Sequence, residues 1–490
     1  MRRRRLAVRA VGVARAPIRA GCEGSRVSIY KSRNIRGSRR ELSPELYRAW
    51  GRALGCQLPP AAKFVVGGDV RASTPALLAA LVEGLCETGA DVVELGIVPK
   101  AMIYYAKRRL GADGCAIVTA SHAPADWNGL CWSLGDQAPS EHDVARLRQA
   151  AENGFRPPNG RSASKPRALD VSFDYVAWLQ ETFAEAMAAP CQAVLDPMHG
   201  TWAGRVRRYL NAVFPQGLFT AIRDDARADF GGLTPDCSCI SNLECLGEAV
   251  YRQRATLGIA FGGDGDCLAL VDGDGLPLSG EETAWVLLQT FEQPWKGRPF
   301  VHDARLSDRI RDAGATLGAE PVAERCDCSA IAQRVQTCSA RFGAELGGHY
   351  FYCDVEGSDA LFSACRVIAH LWRTGQTLAE LRRRCPMVYA TPELRLEMPP
   401  RRQQQLLEQI RTAWEGHPQR ELDGLRIDTP GGWVLARPAD DESALTLRFE
   451  ATDWDALDSL VRDFCRRLPE SGGKLLAEYR SALGLPMSAM

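Results

Sequence analysis

Short apolar or β-branched runs alternate with helical stretches of ten or more residues along most of this chain. That alternation restricts it to α/β domains built on parallel sheets. Ser43 caps a helix that has Pro44 at its first position. Lys63 to Asp69 reads as a strand running into a Gly-Gly turn. Thr74-Pro75 opens a helix through Leu85, Asp91 to Gly96 is a strand, and Cys115 to Thr119 is another.

A breaker-rich linker, Pro157-Pro158-Asn159-Gly160 to Pro166, separates this unit from a second. The second unit has a helix from Asp174 to about Met187 and a strand Gln192 to Leu195 leading into Asp196-Pro197-Met198-His199-Gly200. A helix ending near Arg254 follows, then a strand Leu257 to Phe261 and a short strand Leu268 to Val271. From Glu281 a third unit repeats the alternation, with Pro299 to His302, a helix from Ser307, and a closing helix Gln376 to Arg384. Three units of similar size imply related topology, although no repeat is visible residue by residue. The last stretch differs: helix Gln403 to Trp414, strands Gly432 to Arg437 and Leu445 to Glu450, and helix Trp454 to Arg467 describe a smaller α+β domain on an antiparallel sheet.

With 490 residues the chain exceeds one core. Its net charge of zero gives no attraction to nucleic acid or an anionic membrane, and no apolar run reaches transmembrane length. The 17 cysteines are scattered, several of them (Cys86, Cys115, Cys365) inside expected helices or strands, which fits reduced thiols in the cytoplasm better than a disulfide framework. Cys237-Ser238-Cys239 and Cys326-Asp327-Cys328 lack zinc-site spacing partners, so no metal is expected on these pairs. Residues 1–28 are strongly basic, with Glu23 the only acid. Composition allows a transit peptide, a disordered tail or an over-long translation start, and the reading adopted is a dispensable tail on a cytoplasmic protein.

Two stretches carry chemistry. Ile117-Val118-Thr119-Ala120-Ser121-His122-Ala123-Pro124 delivers a hydroxyl from a buried strand into a loop closed by Asn128-Gly129. Locally, an ordinary strand-to-loop junction explains it as well. In Gly262-Gly263-Asp264-Gly265-Asp266-Cys267, two carboxylates at i and i+2 can converge on a hard cation if the glycines let the loop curl. The spacing is neither an EF-hand nor a β-roll calcium repeat, and a polar hairpin turn explains it locally. Asp69 and Arg71 read locally as a surface ion pair, and His199 as a loop residue.

Four motifs in order resemble the α-D-phosphohexomutases, the phosphomannomutase/phosphoglucomutase family. They are Thr119-Ala120-Ser121-His122-x-Pro124 with Asn128-Gly129 (phosphoserine loop), Gly263 to Asp266 (metal loop), Glu345-Leu346-Gly347-Gly348-His349 (sugar loop) and Gly432 to Pro438 (approach to the phosphate loop). Asn34-Ile35-Arg36-Gly37, Asp69-x-Arg71, Gly96-Ile97-Val98-Pro99 and Asn242-Leu243-Glu244 match smaller features.

The resemblance implies an α/β enzyme of four domains: three similar mixed-sheet domains and a smaller α+β C-terminal one, heart-shaped around a central cleft. The expected boundaries are 29–156, 167–280, 281–388 and 389–490. It further implies a hexose phosphate substrate, Mg²⁺, and a monomer or weak dimer. Ser121, His122 and Arg36 would be catalytic, although His122 is badly placed to act as base for its own neighbour. Ser121, Asp264 and Asp266 would hold the metal. Glu345, His349, Arg325, Arg437 and Arg448 would bind substrate, with Arg448 standing in for a family arginine that falls at Thr446.

The chain departs from the family at identifiable points. The metal loop's first aspartate is Gly262, and the arginine after it is Cys267. The asparagine after His122 is Ala123, and the lysine after the Asn-Gly pair is Cys131. In the third domain Arg325 is followed by Cys326-Asp327-Cys328, a later lysine is Ala332, and the sugar loop's serine is Gly347. After Arg437-Pro438 the hydroxyl-rich phosphate loop is replaced by Ala439-Asp440-Asp441-Glu442-Ser443, which brings like charge toward a phosphate. Two functions follow as expectations: a mutase of the phosphomannomutase/phosphoglucomutase type, or a catalytically impaired paralogue that binds a sugar phosphate or a protein. An amino-sugar mutase fits Glu345 and His349 less well.

Overall fold

The computed structural model describes residues 28–153, 162–439, 443–468 and 470–483. Nearly all of the basic tail, the first half of the linker and the acidic turn Asp440-Asp441-Glu442 lie outside the described residues. Four sheets follow one another along the chain, three mixed and the last antiparallel. Among the described residues no helix is long and apolar enough to cross a membrane.

The three mixed sheets share one device. In the first, Gly114–Val118 runs parallel to Lys63–Gly68 and antiparallel to Trp127–Leu134. In the second, Leu257–Phe261 is parallel to Gln192–Asp196 and antiparallel to Leu268–Asp272. In the third, Phe342–Glu345 is parallel to Pro299–Asp303 and antiparallel to His349–Tyr352. Each time the chain turns back at the carboxyl end of a strand, where α/β sheets place their ligands. Those three reversals are the serine loop, the glycine-aspartate loop and the Glu345–His349 loop. In the fourth sheet the reversal between Gly432–Pro438 and Ala444–Ala451 takes the corresponding place. The repetition is topological and leaves no trace in residue identity.

The strands before these loops are fully buried because helices cover both faces of each sheet. One apolar cluster joins the three units, including Val65, Met102 and Ile117 of the first, Leu195, Trp202 and Phe261 of the second, and Phe300, Phe342 and Leu361 of the third. Sharing one core fixes three loops relative to one another. The fourth unit has its own core around Ile410, Val434, Leu447 and Phe464. It meets the third through a small cluster of Ala304, Cys326, Trp433 and Leu435 and through ion pairs such as Arg426–Asp308 at 2.7 Å.

Two details differ from the sequence reading. Arg167–Ala168, beyond the linker, pairs with Val93 and Glu94 and completes the first sheet. The helix expected to reach Met187 runs Ser172–Thr182 and passes into the short turn Ala184–Ala186, which buries Phe183 and Ala186 against the shared core.

Candidate active site

Ser121 is almost buried, 6% exposed, and sits at φ +54°, a left-handed conformation that a serine holds only where its surroundings impose it. Arg71 imposes it. Its guanidinium donates to the carbonyls of Ser121 at 2.8 Å, Ala123 at 2.7 Å and Trp127 at 3.1 Å, and also to that of Pro124. Arg71 Nε donates to Asp69 Oδ2 at 2.9 Å, and Asp69 accepts further bonds from Thr74 and Thr119, each 2.8 Å. Both side chains of this pair are wholly buried, so it is a strut under the serine loop and not a surface ion pair. Its burial depends on a loop 50 residues away, which local sequence does not show.

The Ser121 N–H donates to Thr119 Oγ1 at 2.8 Å, and His122 Nδ1 lies 3.4 Å from Ser121 Oγ. Asn128 ties the far side of the loop down through the hydroxyls of Ser73 and Thr74. Arg36 lies on the edge strand Ile35–Ser38, opposite Gly129, beside the loop's exit.

Thr119 also links this loop to the next, its Oγ1 lying 3.2 Å from Asp264 Oδ2. Asp264 and Asp266 are both buried. Gly265 makes the turn at φ +81°, and its carbonyl accepts from Trp202 Nε1 at 2.9 Å. Asp264 Oδ1 has no hydrogen-bond partner among the described residues. Burial, then the neighbouring Asp266, pushes the Asp264 carboxyl up to about 7. For Asp266 burial acts in the same direction, but Lys100 and His349 outweigh it and hold the carboxyl well below its usual range. Lys100 Nζ is 2.8 Å from Asp266 Oδ2, and His349 Nε2 is 3.2 Å from Oδ1. Two adjacent buried carboxylates, one with an orphaned oxygen, fit a hard divalent cation. A third carboxylate does not fit at 262: a Cβ there would fall 2.2 Å from Cys267 Sγ. That sulfur also touches Cys237 Sγ, at 3.2 Å.

The third loop completes the line. His349 Nδ1 donates to Glu345 Oε2 at 3.0 Å, and the Gly347 N–H donates to the same oxygen at 2.8 Å. Burial alone would depress the His349 imidazole, but Cys328 and Asp266 beside it raise it well above its ordinary value, so it is held protonated. Arg305 pairs with Glu345, with Asp303 at 2.8 Å and with Glu393 at 2.8 Å. Glu393 lies 3.4 Å from Arg437 Nη1, and Arg437 Nε donates to Asp423 Oδ2 at 2.7 Å. Two runs of polar contacts therefore meet at the glycine-aspartate loop: the Ser121 N–H, Thr119 and Asp264 on one side, and Asp266, His349, Glu345, Arg305, Glu393 and Arg437 on the other.

Arg448, on the neighbouring strand, shares the sheet face of Arg437, and its guanidinium is paired with Glu281. Arg325 is half exposed and 3.9 Å from Asp423, the carboxylate that Arg437 also engages. The sequence reading also missed Lys100, Asp303, Arg305, Glu393 and Asp423. Lys100 had a signal, since it directly follows the Gly96-to-Pro99 motif. The sixteen described cysteines are all free thiols. Cys328 stands with Glu345 and His349 in a group whose donor atoms lie within 4.8 Å of one another, as Cys267 does with Asp266 and His349.

Residues 28–155 match the model of phosphoglucomutase/phosphomannomutase alpha/beta/alpha domain I, and residues 279–389 match that of domain III. A phosphomannomutase of Salmonella montevideo is 30% identical over 366 residues, covering 72% of this chain and 79% of the relative. A phosphomannomutase/phosphoglucomutase of Pseudomonas aeruginosa is 25% identical over 448 residues, 90% of this chain and 95% of the relative. The crystal structure of a phosphoglucomutase/phosphomannomutase family protein from Burkholderia thailandensis superposes with a TM-score of 0.82 at 26% identity, over 91% of this chain and 98% of that one.

Proposed function

Since this chain belongs to the phosphoglucomutase/phosphomannomutase family, we propose that it interconverts hexose 6-phosphates and hexose 1-phosphates through a phosphoserine at Ser121. The observation that carries the reading is the pair of polar runs, from Ser121 to Asp264 and from Asp266 to Arg437, that meet at the glycine-aspartate loop. On this reading they supply a nucleophile, two carboxylates for a metal, a pair for the sugar hydroxyls and an arginine for the distal phosphate.

Ser121 Oγ carries the phosphoryl group as an ester. A sugar hydroxyl attacks the phosphorus, the P–Oγ bond breaks, and the hydroxyl's proton passes to Oγ. The resulting bisphosphate turns end for end. Oγ then attacks the other phosphate, the ester re-forms, and the released sugar oxygen takes the proton back. The left-handed backbone at Ser121, braced by Arg71 through the Ser121 carbonyl, fixes where Oγ stands. Glu345 accepts from sugar hydroxyls, and His349 fixes the orientation of Glu345. Arg437 binds the phosphate that is not reacting, in exchange with Asp423 and Glu393. Asp264 and Asp266, with an oxygen of the serine phosphate, would hold Mg²⁺, whose charge stabilises the phosphoryl group in transfer.

Ser121→Ala should abolish turnover of mannose 1-phosphate and glucose 1-phosphate in a coupled assay. It should also remove the mass of one phosphoryl group from the purified protein. A wild-type protein that turns over neither substrate overturns the reading. That result would favour the second reading, a sugar-phosphate binder without turnover, for which the engagement of Arg437 by Asp423 and Glu393 speaks.

A further inference from the structure

Lys100 is the first residue of the helix Lys100–Leu110, where a cation opposes the helix dipole. It stays there because it is tied to the glycine-aspartate loop at both ends. Its backbone N–H donates to the Asp264 carbonyl at 2.9 Å, and its ammonium, 13% exposed, lies 2.8 Å from Asp266 Oδ2. A part-buried lysine reaching a buried carboxylate 166 residues away is a built contact, not a solvated surface pair.

Charge explains what the contact replaces. The family pattern surrounds the reacting phosphoryl group with three aspartates, the arginine that follows them and the lysine of the serine loop. Here the first aspartate is Gly262, and the two cations are the neutral thiols Cys267 and Cys131. One carboxylate and two cations of that pattern are missing here, and Lys100 brings one cation to Asp266 from another element. The net charge of the set is unchanged. A side chain at 262 would need the space that the Cys267 thiol occupies.

We propose that Lys100 is the relocated cation of the phosphoryl-transfer site, a positioning residue that shares Asp266 with the divalent cation and so sets how tightly that cation is held. The inference rests on the mutase reading for the identity of the site. Its consequence is a weak divalent-cation site whose charge is partly supplied by the protein itself.

Manganese is the probe. Mn²⁺ is titrated into the full-length wild-type chain and into Lys100→Thr and Lys100→Arg, with free Mn²⁺ followed by electron paramagnetic resonance. Removing an ammonium next to a shared carboxylate should tighten Mn²⁺ binding by about tenfold or more, while arginine should leave it within about threefold of wild type. Adding Asp266→Asn to Lys100→Thr should erase the gain. Thermal melts establish that each variant is folded, and Lys100→Arg carries the comparison if the threonine variant is not: a tenfold change with arginine overturns the proposal. So does equal or weaker binding by folded Lys100→Thr, or Mn²⁺ binding by neither protein at millimolar concentration. The titration reads no turnover. A chain without mutase activity that still shows the gain overturns the mutase reading and leaves Lys100 in its role; an active chain without the gain does the reverse.

Discussion

One methyl group tests how the glycine-aspartate loop is built. A Cβ at 262 would stand 2.2 Å from Cys267 Sγ, and that sulfur is itself backed by Cys237 at 3.2 Å, so it has little room to retreat. Gly262→Ala should therefore cost about 1–3 kcal/mol, the range for overpacking a buried site. Gly262→Ala with Cys267→Ala should recover most of that loss, and a double-mutant cycle by denaturant unfolding measures the coupling. Additive effects would mean that the two positions are independent. The sequence shows both departures but not their dependence on each other, because contact across a turn is not encoded in the identity of either residue. The same limit explains which site residues were legible. Ser121, Asp264, Asp266, Glu345 and His349 lie in loops whose spacing carries the family pattern. Lys100, Arg305 and Glu393 reach the site as side chains from a helix start, a strand end and a linker, where spacing says nothing about direction.

At the scale of elements, the site depends on four strand reversals and on what holds each in shape. Alternating patterns make the strands and helices legible, along with the order of the units. They cannot reveal that each mixed sheet turns back at the same topological point, since that is a property of pairing and not of local sequence. Nor do they reveal the strut beneath the serine loop. Asp69 and Arg71 stand at the end of the strand Lys63–Gly68, and Arg71 gathers four carbonyls of the serine loop, those of Ser121, Ala123, Pro124 and Trp127. Lysine keeps the charge but cannot span those acceptors, because it offers one compact ammonium in place of a planar fork. Arg71→Lys should cost about 1–3 kcal/mol in unfolding free energy and lower kcat by about a hundredfold through misplacement of Ser121 Oγ. KM should move far less. Comparing kcat with unfolding midpoints separates the two effects, and an unchanged kcat would remove the strut from the account of the site.

At the scale of the whole molecule, three units share one apolar core, while the fourth is attached by a small apolar cluster and by polar contacts. The fourth unit's position, and with it Arg437, is therefore the part most open to pH. Glu450, on the strand Ala444–Ala451, is buried against the third unit, where Oε1 accepts from Ser307 Oγ at 3.0 Å. Its Oε2 has no hydrogen-bond partner among the described residues. Burial above all, with Asp308 and Glu281 adding to it and Arg448 opposing, pushes this carboxyl from 4.5 up to about 7. A folded value above the unfolded one means that the native state favours the protonated acid. The stabilisation is complete below about pH 4.5 and is lost as pH rises through about 7. Above that, folding buries a carboxylate that the unfolded chain keeps in water. Glu450→Gln is neutral at every pH and can keep a hydrogen bond with Ser307. Relative to wild type it should gain stability between pH 5 and pH 8, by at most about 3 kcal/mol. Denaturant unfolding of both proteins at the two pH values checks this, and a difference independent of pH would show that Glu450 does not titrate across this joint. The same variant should flatten any alkaline rise in KM for the sugar phosphate, because a joint that stays closed keeps Arg437 in line with Arg305 and Glu345.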